Sequence, residues 1–249
     1  MTPLARSQDL YDNALLAAAD PRDVEKLIPH LRRAPYVQGH LFYEPGDVIE
    51  TVYFPTDGVV SMLCVTCDGA VETATIGREG GVGLTGGFGP RQSAHRAIAQ
   101  VSGATWNCPV EAFRTVLESS PSLRDQAARH TEAMLAQVMQ SVACNTLHPV
   151  EARLARWILM CHDRTRGNVV PLTQAFLAQM LGVQRTTVSA AAQVLQGAGL
   201  IAYSRGRIDV RSRPGLEHAS CECYAASRLH YARLLGEAPG LLEELRAVS

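Results

Sequence analysis

The chain has 249 residues, of which 47% are hydrophobic and 19% charged, and a net charge of −1. These values suit a soluble globular protein of one large or two ordinary domains. Nothing approaches the ~18 consecutive apolar residues of a membrane span. No basic segment precedes the apolar "ALLAAA" at 14–19, so neither a signal peptide nor a membrane anchor is expected.

Residues 9–33 carry apolar residues at helical spacing, broken at Asp20-Pro21. An aspartate followed by a first-turn proline marks a helix start. From about 36 to 107 short apolar runs alternate with turn residues, and glycines or "DG" and "PGD" dipeptides recur about every ten residues. Asp68-Gly69 between two alternating runs signals a hairpin. Many short strands with regular turns predict an antiparallel barrel or roll. "CPVEAFRTVLESS" (108–120) predicts a short amphipathic helix, and Ser120-Pro121 opens a long one through 146. In the long helix Leu135, Val138 and Val142 form a stripe that Ala127, Thr131 and Met134 extend. A helix of ~25 residues spans nearly 40 Å. That exceeds what one small domain needs, so it bridges two domains or pairs with a second copy of itself.

Residues 150–167 predict another helix with Val150, Leu154, Trp157, Ile158 and Cys161 on its apolar face and Gly167 near its end. Thr173 is a good cap for a helix through Leu181, with Leu172 and Leu177 placed as a hydrophobic staple. Gly182 ends it. A second helix runs from near Gln184 to Gly197 or Gly199, burying Val188, Ala191, Ala192 and Leu195. Its outward face is Thr186, Ser189, Ala190 and Gln193, flanked by Arg185 and Gln196. "IAYSRGRIDV" then predicts a small hairpin with Arg205-Gly206 at its tip, and residues 215–235 and 239–248 read as terminal helices.

Charge is distributed unevenly. Residues 147–215 hold nine arginines and no lysine against Glu151, Asp163 and Asp209, while the segments on either side are acidic. A local basic excess is what a polyanion-binding module needs. The second helix of the pair carries no carboxylate and only short polar side chains behind Arg185, whereas a helix made for solubility carries Glu–Lys pairs. Such a surface fits a groove lined with base edges. Arg185 is placed for a bidentate contact to guanine, and Thr173, Gln184, Thr186, Thr187, Ser189 and Gln193 for bases or phosphates. Arg205 and Arg207 would touch phosphate as a wing.

"LTQAFLAQMLGVQRTTVSAAAQVLQGAGLI" (172–201) closely resembles the helix-turn-helix of the cyclic-AMP receptor protein and fumarate–nitrate regulator (CRP/FNR) family. "EPGD" (44–47), "GREGGVG" (77–83) and "QSAHRAIA" (92–99) look like turns of that family's N-terminal roll. The resemblance implies an α+β fold: an antiparallel β-roll like a cyclic-nucleotide-binding jelly roll, a long dimerisation helix and a C-terminal winged helix-turn-helix. It divides the chain at 1–120, 121–146, 147–215 and a C-terminal extension, 216–249. It implies a cytoplasmic homodimeric regulator that binds double-stranded DNA and contacts RNA polymerase, with no membrane partner and no enzymatic activity. The pairing helix would use Met134, Leu135, Val138 and Val142.

The departures from the family pattern are specific. Where recognition helices of the family often read Arg-Glu-Thr-Val, this one reads Arg185-Thr186-Thr187-Val188, and Ala190 stands where a second arginine is often found. Gly83-Leu84 and Gln92-Ser93-Ala94 stand where cyclic-nucleotide binders carry Gly-Glu and Arg-Ser-Ala, and Val138-Met139 replaces the polar pair that meets the base. A buried phosphate without a paired cation is costly. The usual response to cyclic AMP is therefore not expected. Arg78, Glu79, Gly83, Leu84, Gln92 and Ser93 mark the place of an effector pocket whose ligand, if any, the sequence leaves open.

The seven cysteines are scattered, which argues for a reducing compartment. Cys64-x-x-Cys67 falls on one predicted strand, which turns the two side chains to opposite faces. Cys221 and Cys223, two apart on a predicted helix, should diverge, and Cys108, Cys144 and Cys161 read as small apolar residues. No metal site and no cofactor is expected. Two rival readings stand beside the regulator: a roll that senses an effector without binding DNA, and a cupin-like metal enzyme, for which His40 and His95 are the roll's isolated histidines.

Overall fold

A computed structural model describes residues 7–235; the helix expected at 239–248 lies outside them. The helical stretch expected over 9–33 is three short helices, α1 (Ser7–Leu10), α2 (Ala14–Ala18) and α3 (Pro21–Leu27), and its end is strand β1 (Arg32–Tyr36). Each break has a cap behind it. Asn13 accepts from the Leu16 amide at the start of α2, and Asp20 accepts from the Arg22 amide ahead of Pro21 at the start of α3. Asn13 is fully buried, and its Nδ2 donates to the carbonyls of Pro55 (2.9 Å) and Gly80 (2.8 Å). One amide thus fastens the N-terminal helices to the roll.

The roll is an antiparallel sheet of β1, β2 (Leu41–Tyr43), β3 (Thr51–Thr66), β4 (Gly69–Ile76) and β5 (Arg96–Pro109), in the order β1-β5-β3-β4 with β2 also on β5. The many short strands expected are instead built around two long ones, of 16 and 14 residues. Register shifts at Pro55/Asp57, Asp57/Val59 and Val59/Val60 bend the pair. A bulge inserts an unpaired residue and increases local twist, so one continuous strand can curl around a core. Gly58 sits at the bend with φ +83, where a Cβ would lie 2.6 Å from the Tyr36 hydroxyl. The expected hairpin forms, with Cys67 and Asp68 as its two loop residues and Thr66 opposite Gly69.

Helix α4 (Val110–Glu118) leads into α5 (Pro121–Leu147), whose 27 residues confirm the long helix. It lies on the roll through Leu123, Ala127, His130, Ala133 and Gln137, and Gln137 Oε1 accepts from the Thr75 amide at 3.0 Å. Helix α6 (Val150–His162), strand β6 (Val169–Pro171), helices α7 (Gln174–Leu181) and α8 (Arg185–Gly197), and strands β7 (Ile201–Ser204) and β8 (Arg207–Val210) form the module that follows. The expected strand pair is three-stranded, in the order β6-β8-β7. The helix expected over 215–235 is two, α9 (Arg213–Ala219) and α10 (Cys223–Leu235), because the chain turns extended at Ser220.

The helical module shares a core with the roll. Val59, Leu63 and Val101 join Leu154, Trp157, Ile158, Leu177 and Val188 in one apolar cluster. At its edge Glu72 of β4 is buried. Trp157 Nε1 donates to its carboxylate (2.8 Å), and the Ser61 hydroxyl contacts the other oxygen (2.5 Å). Burial pushes the Glu72 carboxyl up to about 7, against the hydrogen bonds that pull it down. The folded state then keeps a proton that the unfolded chain releases near its ordinary value of 4.5. This group's contribution to stability is therefore largest at low pH and falls as pH rises from 4.5 toward 7. Glu72→Gln should gain about 2 kcal/mol relative to the parent between about pH 5 and about pH 8, read from urea melts.

Candidate nucleic-acid interface

The corner between α7 and α8 is set by three residues. The Thr173 hydroxyl accepts from the Phe176 amide (3.3 Å), and Leu172 and Leu177 on either side of it are fully buried. At the other end Gly182 takes the left-handed conformation, φ 63, and the Gly182 and Val183 amides close the last turn on Gln179 and Ala178 (3.3 and 3.0 Å). A left-handed position costs glycine little and any other residue about a kcal/mol or more. Helix α8 can therefore start at Arg185, four residues after α7 ends at Leu181.

Helix α8 buries Val188, Ala191, Ala192 and Leu195, the face read from the sequence. Gln184, Arg185, Thr186, Thr187, Ala190 and Gln193 are exposed, and Ser189 is half-buried. Its hydroxyl donates back to the Arg185 carbonyl (3.0 Å), so it faces outward as an acceptor. The first turn has neither a capping side chain nor an acidic residue. Its leading amides and the positive end of the helix dipole are thus open to an anion.

The wing is rigid. Arg205 and Gly206 both have positive φ (49 and 74), which makes a two-residue turn whose twist matches the strands. The Gln196 side-chain oxygen accepts from the Tyr203 amide (2.8 Å), and the Tyr203 hydroxyl donates to the Leu172 carbonyl (3.3 Å). Thr173 and Arg205, far apart in sequence, share an open notch of about 420 Å³ with Gln174, Tyr203, Ser204 and Gly206. Gln174 and Tyr203 had no sequence signal, because only the folded wing brings them beside the cap of α7.

The basic excess resolves into two populations. Arg164 pairs with Glu79, Arg166 with Asp12, Arg211 with Asp209, and Arg213 with Asp163 and Glu217. Arg153 and Arg156 are buried. That leaves Arg185, Arg205 and Arg207, which make no ion pair among the described residues and are all exposed. Four of the segment's nine arginines are therefore neutralised within the molecule and two more are buried. The free remainder lies on α8 and the wing.

The six residues expected around an effector do not converge. Gly83 (φ 80) and Leu84 adjoin a small cavity of about 90 Å³ lined by Tyr43, Met62, His95, His130 and Met134. Burial pulls His130 and His95 down to about 4, so both rings are neutral. The His130 ring packs so closely on Gly80 that a Cβ there would lie 1.9 Å from it. Gln92 is exposed, bridging to Val48, and the buried Ser93 hydroxyl donates to the His95 carbonyl (2.7 Å). Arg78 and Glu79 line a different cleft of about 480 Å³ with Tyr11, Asp12, Arg164 and Tyr231. A cavity of 90 Å³ holds about three waters, against the ~300 Å³ or more of a small-molecule site.

The cysteines correct the sequence reading. Cys221 lies in the extended link before α10, so it and Cys223 do not diverge as they would on one helix. Both turn to Cys144 and His148 at the end of α5, and the four ligand atoms lie within 4.8 Å of one another.

A β-roll joined through a long helix to a winged helix-turn-helix, with free guanidinium groups on the second helix and the wing, defines a DNA-binding transcription regulator. Residues 152–219 match the Crp-like helix-turn-helix domain family. Among solved structures, FixK2 from Bradyrhizobium japonicum is similar at a TM-score of 0.66 and 18% identity, covering 77% of this chain and 98% of that one. The c-di-GMP responsive global regulator CLP of Xanthomonas campestris is similar at 0.60 and 17%, covering 78% and 100%. A CRP-family transcriptional regulator from Thermus thermophilus gives 0.61 and 19%, covering 76% and 96%. No curated protein matches at the level of sequence. Residues 152–219 thus form a Crp-like helix-turn-helix domain, carried on a fold that solved transcription regulators share.

The cap is testable by itself. Thr173→Ala should lower stability by about 1 kcal/mol in thermal melts, because the Phe176 amide loses its acceptor.

Proposed function

We propose that the chain works as a homodimer that lays α8 of each copy in successive major grooves and rests its wing on the phosphate backbone. The observation that carries this reading is the placement of Arg185, Arg205 and Arg207: the arginines of the basic segment that are both exposed and without a carboxylate among the described residues lie on α8 and the wing. Arg185 reads a base edge, with Gln184, Thr186, Thr187, Ser189 and Gln193 beside it. Thr173, Arg205 and Arg207 seat phosphates. Thr186 in place of an acid, and Ala190 in place of a second arginine, set a half-site of their own.

The second copy is argued from α5. Leu135, Met139 and Val142 are 59%, 64% and 61% exposed in the single chain, at helical spacing on one face. Apolar residues in such a row stabilise a helix only when another helix covers them. Of the residues expected there from sequence, Met134 and Val138 instead pack against the roll's core, and Met139 joins the stripe. The unit that results is read as cytoplasmic, engages RNA polymerase and catalyses no reaction. It does not answer to cyclic AMP in the usual way: the nucleotide's place in the roll is nearly filled, and no cation lines it. Arg78 and Glu79 belong with the larger cleft beside Arg164, the better seat for an effector.

Gel shifts on promoter fragments decide between this reading and a roll that senses without binding DNA. Arg185→Ala should cost about 1–3 kcal/mol of affinity and relax the preference at one base pair of each half-site. A uniform loss over all sequences would make Arg185 a phosphate contact, and no shift at any salt with the parent would remove DNA from the account. A Leu135→Glu, Val142→Glu double variant should sediment as a folded monomer and lose most of its operator affinity. Retention of the dimer would place the interface elsewhere.

A further inference from the structure

Outside the DNA-facing surface, the molecule brings four soft ligand atoms to one point. Cys144 and His148 stand one turn apart at the end of α5, and the His148 amide still bonds to the Cys144 carbonyl (3.2 Å) as the chain leaves the helix. Cys221, 77 residues further on than Cys144, comes from the link between α9 and α10, and Cys223 is the first residue of α10. All three cysteines are buried and none is in a disulfide. The Cys144 and Cys221 sulfurs are 3.5 Å apart, and the Cys223 sulfur is 3.4 Å from His148 Nδ1.

We infer that Cys144, His148, Cys221 and Cys223 form a structural site for a single tetrahedral soft divalent ion of the zinc type. With metal–sulfur bonds of about 2.3 Å, the edges of such a tetrahedron are roughly 3.5–3.8 Å. The two sulfur and nitrogen separations already fall at or just below that length. An iron–sulfur cluster holds its protein ligands much further apart than the 4.8 Å that encloses these four atoms.

Packing alone would not require the orientation of the imidazole. Its Nδ1 faces the sulfurs, while its Nε2 lies 3.1 Å from the Glu222 carboxylate. A metal-bound histidine held from behind by a carboxylate is the recurrent arrangement of such sites, because the carboxylate fixes the tautomer. Gln140 Nε2 donates to the Cys223 sulfur at 3.0 Å, as amides do to metal thiolates. Three thiolates and a neutral imidazole on a dication leave one negative charge. The buried Arg153 and Arg156 stand near, with no carboxylate partner among the described residues and an unpartnered Nε each. Binding releases the protons of the three thiols as the ion takes their place.

The site's position gives it a task. Pro149 follows His148 and opens α6, so the chain passes from the long helix into the DNA-binding module at this point. Cys221 and Cys223 lie just beyond α9, the helix that follows the module's last strand. An ion here clamps the exit of the module to the stem from which it hangs.

The test uses the full reduced chain and cobalt(II) alone, titrated without oxygen. The thiolate-to-cobalt and tetrahedral ligand-field absorption bands should rise to one equivalent per chain and be abolished by zinc. Elemental analysis of the purified protein should find zinc near one per chain. Cys144→Ser and Cys223→Ser should lose the bands, Glu222→Gln should weaken binding about tenfold or more, and Cys64→Ser with Cys67→Ser should change nothing. Absence of the bands in the reduced parent chain overturns the site, and so does their survival in the Cys221→Ser, Cys223→Ser double variant. A Cys144–Cys221 disulfide that, once reduced, yields thiols unable to take cobalt overturns it as well. The readout is spectroscopic on the parent chain, so it stands apart from DNA binding and from any variant's failure to fold.

Discussion

The DNA-binding face depends on where guanidinium charge is neutralised. A paired arginine contributes little field beyond its partner, whereas an exposed unpaired one is available to a polyanion. In the basic segment Arg164, Arg166, Arg211 and Arg213 meet carboxylates, and two of these come from the N-terminal region: Glu79 on the roll and Asp12 beside it. The pairing does two jobs. It ties the DNA-binding module to the roll, and it leaves Arg185, Arg205 and Arg207 as the free charge on a surface with no acid in the first turn of α8.

The same module is held in place by apolar contact. Val59, Leu63 and Val101 of the roll enter the core beneath α6, α7 and α8, and Glu72 meets Trp157 at its margin. Helix α5 spans both halves and presents its exposed stripe away from them. An effector that shifts the roll relative to α5 would therefore be felt at Trp157, and through the core at α8. The cleft lined by Arg78, Glu79 and Arg164 lies on that line of contact, since the Glu79–Arg164 pair (2.7 Å) is itself a bridge between roll and module.

The sequence was most legible where the chain obeys local rules. Thr173, Gly182 and the buried set Val188, Ala191, Ala192 and Leu195 are fixed by capping, left-handed geometry and helical period, and the structure has them as read. Arg205-Gly206 likewise set the wing's turn. Legibility failed where distant segments meet. The bulges that let β3 and β5 run long have no local mark, and β6 is three residues whose pairing partner lies far downstream. Met134 and Val138 share a helix face with Leu135 and Val142 in a coarse reading, yet the roll takes the first pair and leaves the second exposed. Cys221 and Cys223 diverge only if residues 215–235 are one helix. The break at Ser220 turns both toward Cys144.

The most direct test of the central claim is the salt dependence of operator binding, compared between the parent and the triple variant Arg185→Ala, Arg205→Ala, Arg207→Ala. Each phosphate neutralised by one of these side chains contributes about 0.9 to the slope of log affinity against log salt. In the proposed dimer, two wings and two recognition helices should together lower the slope by up to roughly five units, less whatever share Arg185 gives to a base instead of a phosphate. An unchanged slope in the triple variant would contradict the account, since the charge that meets the duplex would then lie on some other face.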